Sequence, residues 1–563
     1  MVRSPVHSRA FRSTACTLLL LCHGASCLIV QQRLQAQAPV TRDQAGKLNT
    51  YRIAGHIVSA LDGHPLREAT VTISEVRSGR LMTSIVSGQV GEFAFGNLAA
   101  RKFSLAGAAN GYLDATFNQH EQFSTAIVTG AGVDTESLIL RLQPSASLSG
   151  RVLDEAGEPL RAARVTLYRE IHSSGRSQIH EVKFTQTDDR GDYTMGSLAE
   201  GKYFLAAKGV PWYATHPQLH AEEGNSPIVT GVDPSLDVAY PLTFYPGVTD
   251  SRAASPIEMK GGEESRVDLH LAPVRAVRIT IHTTPGERGV SYLQMRTPVF
   301  DGFEMVMGQM QTSSYGTEIV GLPPGHYLMQ QTDPKTGSPS RLSTIDLTSG
   351  SAEIDAIAGE APATLKVTLE EEHGAKLPAR MRVTLRGTAV EGVRSQITAK
   401  DDVTFVGVQP AEYRFSVYGE NRIYQVRRVE GASKGLSKDH LHVESGEAAE
   451  VKLVIAATAT TVEGLALLKG KPAPGVMIVL VPIDATEDVE FFRRDQSDLD
   501  GTFLLPEVTA GRYIVVAIDD GWKLEWGKAD VLARYLAKGV AVDIPANERH
   551  SVHLQNAIAV QAR

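Results

Sequence analysis

The stretch from Gly209 to Asp250 gathers Trp212, Tyr213, Tyr240, Phe244 and Tyr245 among prolines and glycines. Long irregular segments in otherwise regular chains are often functional. A pyranose presents C–H groups to the electron-rich face of an aromatic ring, so these side chains could stack against sugars. Trp522 and Trp526, near the C-terminal end, are two further candidate rings. Packing is the competing reading. An aromatic recurs nine residues after another in three places: Phe103 to Tyr112, Tyr203 to Trp212 and Tyr513 to Trp522. A repeated position is more often a core plug than a ligand platform.

Other chemistry is thinly supplied. His220 and Glu223, with His216 nearby, have the His-x-x-Glu form of a zinc-peptidase ligand pair. The alternating helices and parallel strands of such an enzyme are missing, so the match is rejected. His440, His442 and Glu444 alternate along a predicted strand and share one face, which suits a zinc ion or, more often, solvent. Gln496, Asp498, Asp500, Gly501 and Glu507 imitate a calcium loop, but Gln stands where the first ligand should be Asp. This segment is expected to be a turn entering a strand. All three cysteines (Cys16, Cys22, Cys27) lie near the N-terminus, which removes thiolate chemistry from the rest. Nucleophile elbows and phosphate-cradling glycine loops are absent from the sequence. The expectation is a non-enzyme with no cofactor and no metal. A formal charge of −8 makes nucleic acid a poor partner.

The elements that must carry these residues repeat. An apolar residue is followed five positions later by an aromatic in five places: Leu98 to Phe103, Leu198 to Tyr203, Leu322 to Tyr327, Val408 to Tyr413 and Val508 to Tyr513. Glycine turns and alternating strand patterns surround each pair, as in Asp189-Arg190-Gly191-Asp192-Tyr193 and Asp500-Gly501-Thr502-Phe503. Opening strands such as Leu148 to Leu153 lead into Gly-x-Pro-Leu turns at Gly63 to Leu66 and Gly157 to Leu160. Many short strands in units of about 100 residues predict an all-β fold of tandem, Ig-like antiparallel sandwiches.

The order of features from Leu148 to Tyr203 resembles the carboxypeptidase regulatory-like domain. That family is a transthyretin-like or prealbumin-like sandwich with a carbohydrate-binding-like fold. The resemblance is good for copies one, two and five; copies three and four lack the Gly-x-Pro-Leu turn. It implies non-catalytic accessory or binding modules. Lys-to-Asn cross-links, which similar Cna-B-like domains form, have no matching residue pair within a unit.

Boundaries follow from the repeats: sandwiches at 49–143, 144–273 (with the long loop 209–250), 274–360, 361–457 and 458–557. Their closing strands are expected at Ser137 to Leu142, Arg266 to Leu271, Leu342 to Leu347, Glu450 to Ile455 and Ser551 to Leu554. Short linkers predict an extended string reaching on the order of 150 Å. Residues 1–38 read as a signal peptide, with Arg3, Arg9 and Arg12 before an apolar run and Ala36-Gln37-Ala38 after it. Gly24-Ala25-Ser26-Cys27 offers the alternative of a lipid-bearing Cys27. The protein is thus expected in the periplasm, at the cell surface or outside the cell, without a transmembrane domain in its mature chain. Its expected partner is a glycan or other surface polymer; the alternatives are a spacer or protein scaffold of the envelope and an accessory subunit of an outer-membrane transporter.

Overall fold

A computed structural model describes residues 50–563 except 77–78, 174, 218–232, 283–291, 307, 314–315, 333–338, 356–358, 373, 388–392, 399–401, 420–421, 432–439, 458–459, 484–488 and 546–550. The described chain is a series of β-sandwiches, largely antiparallel but with each opening strand parallel to its closing strand, and its one α-helix among the described residues is Ala529–Leu536. None of the described helices is long and apolar enough to cross a membrane.

Each repeat is wound the same way. Its opening strand pairs antiparallel with the strand carrying the motif and parallel with the strand that closes the unit. In the first repeat Tyr51–Ser59 lies between Glu92–Leu98 and Leu138–Leu142. In the second, Ala146–Leu153 lies between Asp192–Leu198 and the short strands Glu264–Arg266 and Leu269–His270. In the fourth, Ala363–Glu371 lies between Asp402–Val408 and Ala448–Ala457. Alternate side chains point inward, so Leu365, Val367 and Leu369 are buried while Thr364, Lys366 and Thr368 are exposed. The third repeat departs from expectation. Its opening strand Val277–His282 pairs with Ala352–Asp355, whereas Leu342 to Leu347 falls in and just beyond a strand hydrogen-bonded to His326–Thr332.

The five-residue spacing has a local cause. The residue before the apolar position is left-handed in every copy: Asn97, Ser197, Gly321, Gly407 and Glu507 have φ between 54° and 74°. Pairing with the opening strand slips at that point in all five repeats, which makes each a β-bulge. The tyrosine then returns to the turn. Tyr203 donates from its hydroxyl to Ala199 O at 2.8 Å, Tyr413 to Gln409 O at 2.8 Å and Tyr513 to Thr509 O at 3.0 Å. Tyr327 donates to Pro323 O in the same way. Phe103 has no hydroxyl, and there Thr129 Oγ1 donates to Ala99 O at 2.7 Å. Each such bond is worth about 1 kcal/mol net, and more is lost if the buried carbonyl is left bare. A second device ties the Gly-x-Pro-Leu turn: Ser87, Thr187 and Ser497 hydroxyls each donate at 2.6 Å to a carbonyl of that segment, at Leu66, Leu160 and Ala473.

The chain is not an extended string. The first and fifth repeats are bonded to each other. Lys102 Nζ meets Asp498 Oδ2 at 2.5 Å and donates to Thr502 Oγ1 at 3.0 Å, and Asp498 Oδ1 accepts Ala126 N–H at 3.1 Å. Gln496 Nε2 donates to Asn118 O at 2.6 Å and to Thr125 Oγ1 at 2.8 Å, and Arg494 pairs with Glu121 at 2.7 Å. Apolar groups cross as well: Leu499 packs on the core of the first repeat, and Phe123 packs on the outer cluster of the fifth. The fifth repeat also touches the second and the fourth. Gly527 N–H donates to Gly175 O at 2.9 Å at a hairpin tip, and Arg427 donates to Ala510 O at 3.2 Å. A Cβ on Gly175 would lie 2.5 Å from Trp526 Cδ2, which is why the tip is glycine.

Candidate functional site

The aromatic candidates separate into three environments. Phe244 and Tyr240 are buried in or against the second repeat, and Tyr245 packs on its core from a partly buried position. Trp522 and Trp526 are buried in the fifth, so neither offers a free face to a sugar. Trp522 stacks on His120 and gives its indole N–H to Gly475 O at 3.1 Å, while Arg494 lies 4.1 Å over the Trp526 ring. Trp212 differs from all of these, being 84% exposed. It meets Tyr213 edge-on, with ring centroids 5.7 Å apart and planes at 85°.

Trp212 is exposed on a segment that is held. The turn after the opening strand of the second repeat carries Glu155, a residue that the sequence did not single out. Its Oε2 accepts the Tyr240 hydroxyl at 2.6 Å, and its Oε1 accepts the Tyr213 hydroxyl. Burial pushes the Glu155 carboxyl upward, but the two tyrosine bonds outweigh it and hold the group below its ordinary range. The bond to Glu155, with burial and the negative charge added, raises the Tyr213 phenol to about 12. Burial, then the same carboxylate, raises Tyr240. The turn is fixed in its own right, since Asp154 Oδ1 accepts the amides of Ala156 at 2.9 Å and Glu158 at 2.8 Å.

Val210 and Pro211, immediately before Trp212, form part of the wall of a cleft of about 1440 Å³ between the second and third repeats. Its floor is the outer face of a sheet in which Arg164, Thr166 and Tyr168 stand opposite Lys208, Ala206 and Phe204. The tip of a hairpin from the third repeat rests on that face. Phe300, left-handed at φ 50°, sits 4.9 Å from Phe204, 5.3 Å from Tyr168 and 5.5 Å from Phe244, centroid to centroid. Asp301 accepts the Ile179 amide at 2.7 Å. Glu304, buried, takes the Tyr168 hydroxyl at 3.3 Å and is paired with Lys208. Burial, then the Glu304 charge, raises the Tyr168 phenol.

The metal candidates are placed otherwise. His220 and Glu223 lie outside the described residues. His216 Nδ1 is 2.7 Å from Asp237 Oδ1, and Arg278 donates to the other Asp237 oxygen at 3.4 Å. His440 and His442 do share a strand face, and Arg414 Nε donates to His440 Nε2 at 2.6 Å. In the calcium-like segment Gln496 and Asp498 face the first repeat, Asp500 bonds Thr502, and Glu507 occupies the left-handed bulge. Among the described residues no group of three His, Cys, Asp or Glu side chains is placed to hold a metal ion.

No family model matches the sequence. No curated protein matches it either. Among solved structures the chain is similar to the Bacillus anthracis TIE protein at 13% identity, over 74% of this chain and 76% of that one, with a TM-score of 0.17. It is similar to a minor pilin of Streptococcus agalactiae at 11% identity, over 40% and 96%, with a TM-score of 0.20. A streptococcal ancillary pilin gives 10% identity, 55% and 98% coverage and a TM-score of 0.19. Likenesses this loose carry no argument about activity or partners.

Proposed function

We propose that this chain is an exported, non-catalytic assembly of carboxypeptidase-regulatory-like sandwiches, divided near residues 143, 273, 360 and 457, that binds polysaccharide in its second repeat. One observation carries the reading: Trp212 is 84% exposed while its neighbour Tyr213 is tied to Glu155. An exposed indole whose neighbour is tied in place offers a ring face at little ordering cost to a ligand that stacks on it. A flat ring with a second ring edge-on beside it makes a corner suited to one sugar face, and the adjoining cleft gives a chain room to continue. Residues 1–38 supply the export address in this proposal, and a lipid on Cys27 is the alternative way of retaining the protein at the envelope. The alternative of an envelope spacer or scaffold would have to work without the extended reach, because repeats one and five are bonded to each other.

Affinity electrophoresis in gels containing polysaccharide tests the proposal. Retardation of the wild type that Trp212→Ala abolishes is the expected result. Retardation that survives the substitution moves the site away from Trp212, and absence of retardation by every polymer sinks the reading.

A further inference from the structure

The charged groups lining the cleft bear on which sugars it takes. Arg164 donates to Glu181 at 2.9 Å and stands 3.7 Å from Glu304. Lys208 is paired with Glu304 and also donates to Met305 O at 2.9 Å. His216 lies against Asp237, His326 is 3.4 Å from Asp346, and Arg252 is 3.7 Å from Asp250. The remaining carboxylate, Asp301, accepts the Ile179 amide. Each cationic or ionisable nitrogen side chain on the wall therefore faces a carboxylate already. Among the described residues, an acidic polymer reaching the floor of the cleft would have to displace a carboxylate from Lys208 or Arg164, within a chain whose formal charge is −8, while Arg252 at the rim, 92% exposed, is only loosely held by Asp250. An uncharged polymer needs only ring faces and hydroxyl partners, and the partly exposed Phe204 and Phe300 line the same walls.

We infer that the cleft between the second and third repeats selects uncharged polysaccharide and rejects uronate-bearing or sulfated polymers. This rests on the sugar-binding reading given above. The selecting group is Glu304, whose buried carboxylate pairs with Lys208 and lies 3.7 Å from Arg164, itself held by Glu181. Glu304→Gln keeps the shape of the side chain and removes the charge, leaving Lys208 without a carboxylate while Arg164 keeps Glu181.

Native gels containing xyloglucan, laminarin or dextran, set beside gels containing polygalacturonate, decide the matter. The wild type is expected to be retarded by at least one neutral polymer, equally at low ionic strength and at ~0.5 M salt, where surface charges are screened within a few ångströms. It should pass polygalacturonate freely. Glu304→Gln should gain retardation in polygalacturonate at low salt and lose it at high salt. If the wild type is retarded by polygalacturonate alone and salt abolishes the effect, the neutral-polymer inference falls while sugar binding stands. Retardation in no gel overturns both. Should Glu304→Gln fail to fold, the salt series on the wild type still decides, because a retardation that collapses with salt contradicts selection of an uncharged chain. A folded Glu304→Gln that gains nothing in polygalacturonate overturns the role given to that carboxylate.

Discussion

His120 of the first repeat lies flat on Trp522 of the fifth, with ring centroids 5.1 Å apart and planes only 5° from parallel. The same histidine places Nδ1 3.0 Å from Gln496 Oε1, so one side chain both stacks and bonds across the contact. Phe123 lies 5.4 Å from Trp522 on the same side of the contact as His120. The indole is therefore shared between two repeats that are separated by more than 300 residues of chain.

Trp522→Ala should destabilise the protein by about 3–5 kcal/mol, the usual cost of emptying a large buried aromatic site. Because the ring is shared, amide exchange should speed up both in Lys102–Ala108 of the first repeat and in Gly511–Ile518 of the fifth. Hydrogen exchange followed by mass spectrometry reads the two segments separately. An increase confined to the fifth repeat would contradict a common folding unit.

Tyr213 should be among the last tyrosines to ionise. Its phenol is raised to about 12 from an ordinary value of 10.0, chiefly by its bond to Glu155. A group raised in this way contributes stability that is fully present below pH 10 and is lost as pH climbs through 12. Ultraviolet titration of Tyr213→Phe should lack one component near pH 12 that the wild type shows. Glu155→Gln should move that component toward 10, and a spectrum unchanged by both substitutions would show that the bond does not form.

Asp495 behaves as a buried acid with little compensation. Burial raises it to about 6, against hydrogen bonds from the amides of Leu504 and Gln496; the nearby Asp498 charge adds to the rise and Lys102 opposes it. Its folded value lies above the unfolded one, so the stability it contributes is present below about pH 4 and is lost as pH rises through 6. Asp495→Asn keeps an acceptor for the Leu504 amide, which now lies 2.7 Å from Asp495 Oδ2. The variant should gain on the order of 3 kcal/mol over the wild type at pH 8, and little or nothing at pH 4. Urea midpoints at the two pH values measure this, and equal differences at both would remove Asp495 as the titrating group.

The sequence displayed the repeats because their causes are local. A bulge, a tyrosine that bonds four residues back and a hydroxyl that ties a turn all act within one motif, so spacing alone reveals them. Phe103 shows the limit of this legibility: its missing hydroxyl is replaced by Thr129, whose role no spacing rule announces. The contact of the first and fifth repeats was illegible for a different reason. Lys102 and Asp498 point outward from their own sandwiches, where any polar residue satisfies a strand pattern, and nothing in the periodicity of either strand specifies the other. Gln496 and Asp498 did stand out, as an imperfect calcium loop, and both side chains bond to the first repeat instead. Trp212 was legible as an aromatic in a long loop, yet its repeated position predicted a buried plug. The plug reading holds for Trp522, which His120 covers, and not for Trp212, which is 84% exposed.

The clasp between the terminal repeats decides how the protein would bear force. The opening strand Tyr51–Ser59 and the last strand Ile558–Gln561 belong to the two clasped repeats. Tension applied at Tyr51 and Arg563 would run first through Lys102–Asp498, Arg494–Glu121 and the His120–Trp522 stack, ahead of the chain that joins the two repeats. That chain would come under full load only after the clasp had torn. The intervening chain would still be held to the fifth repeat at Gly175–Gly527 and Arg427–Ala510, so its length would be released in stages.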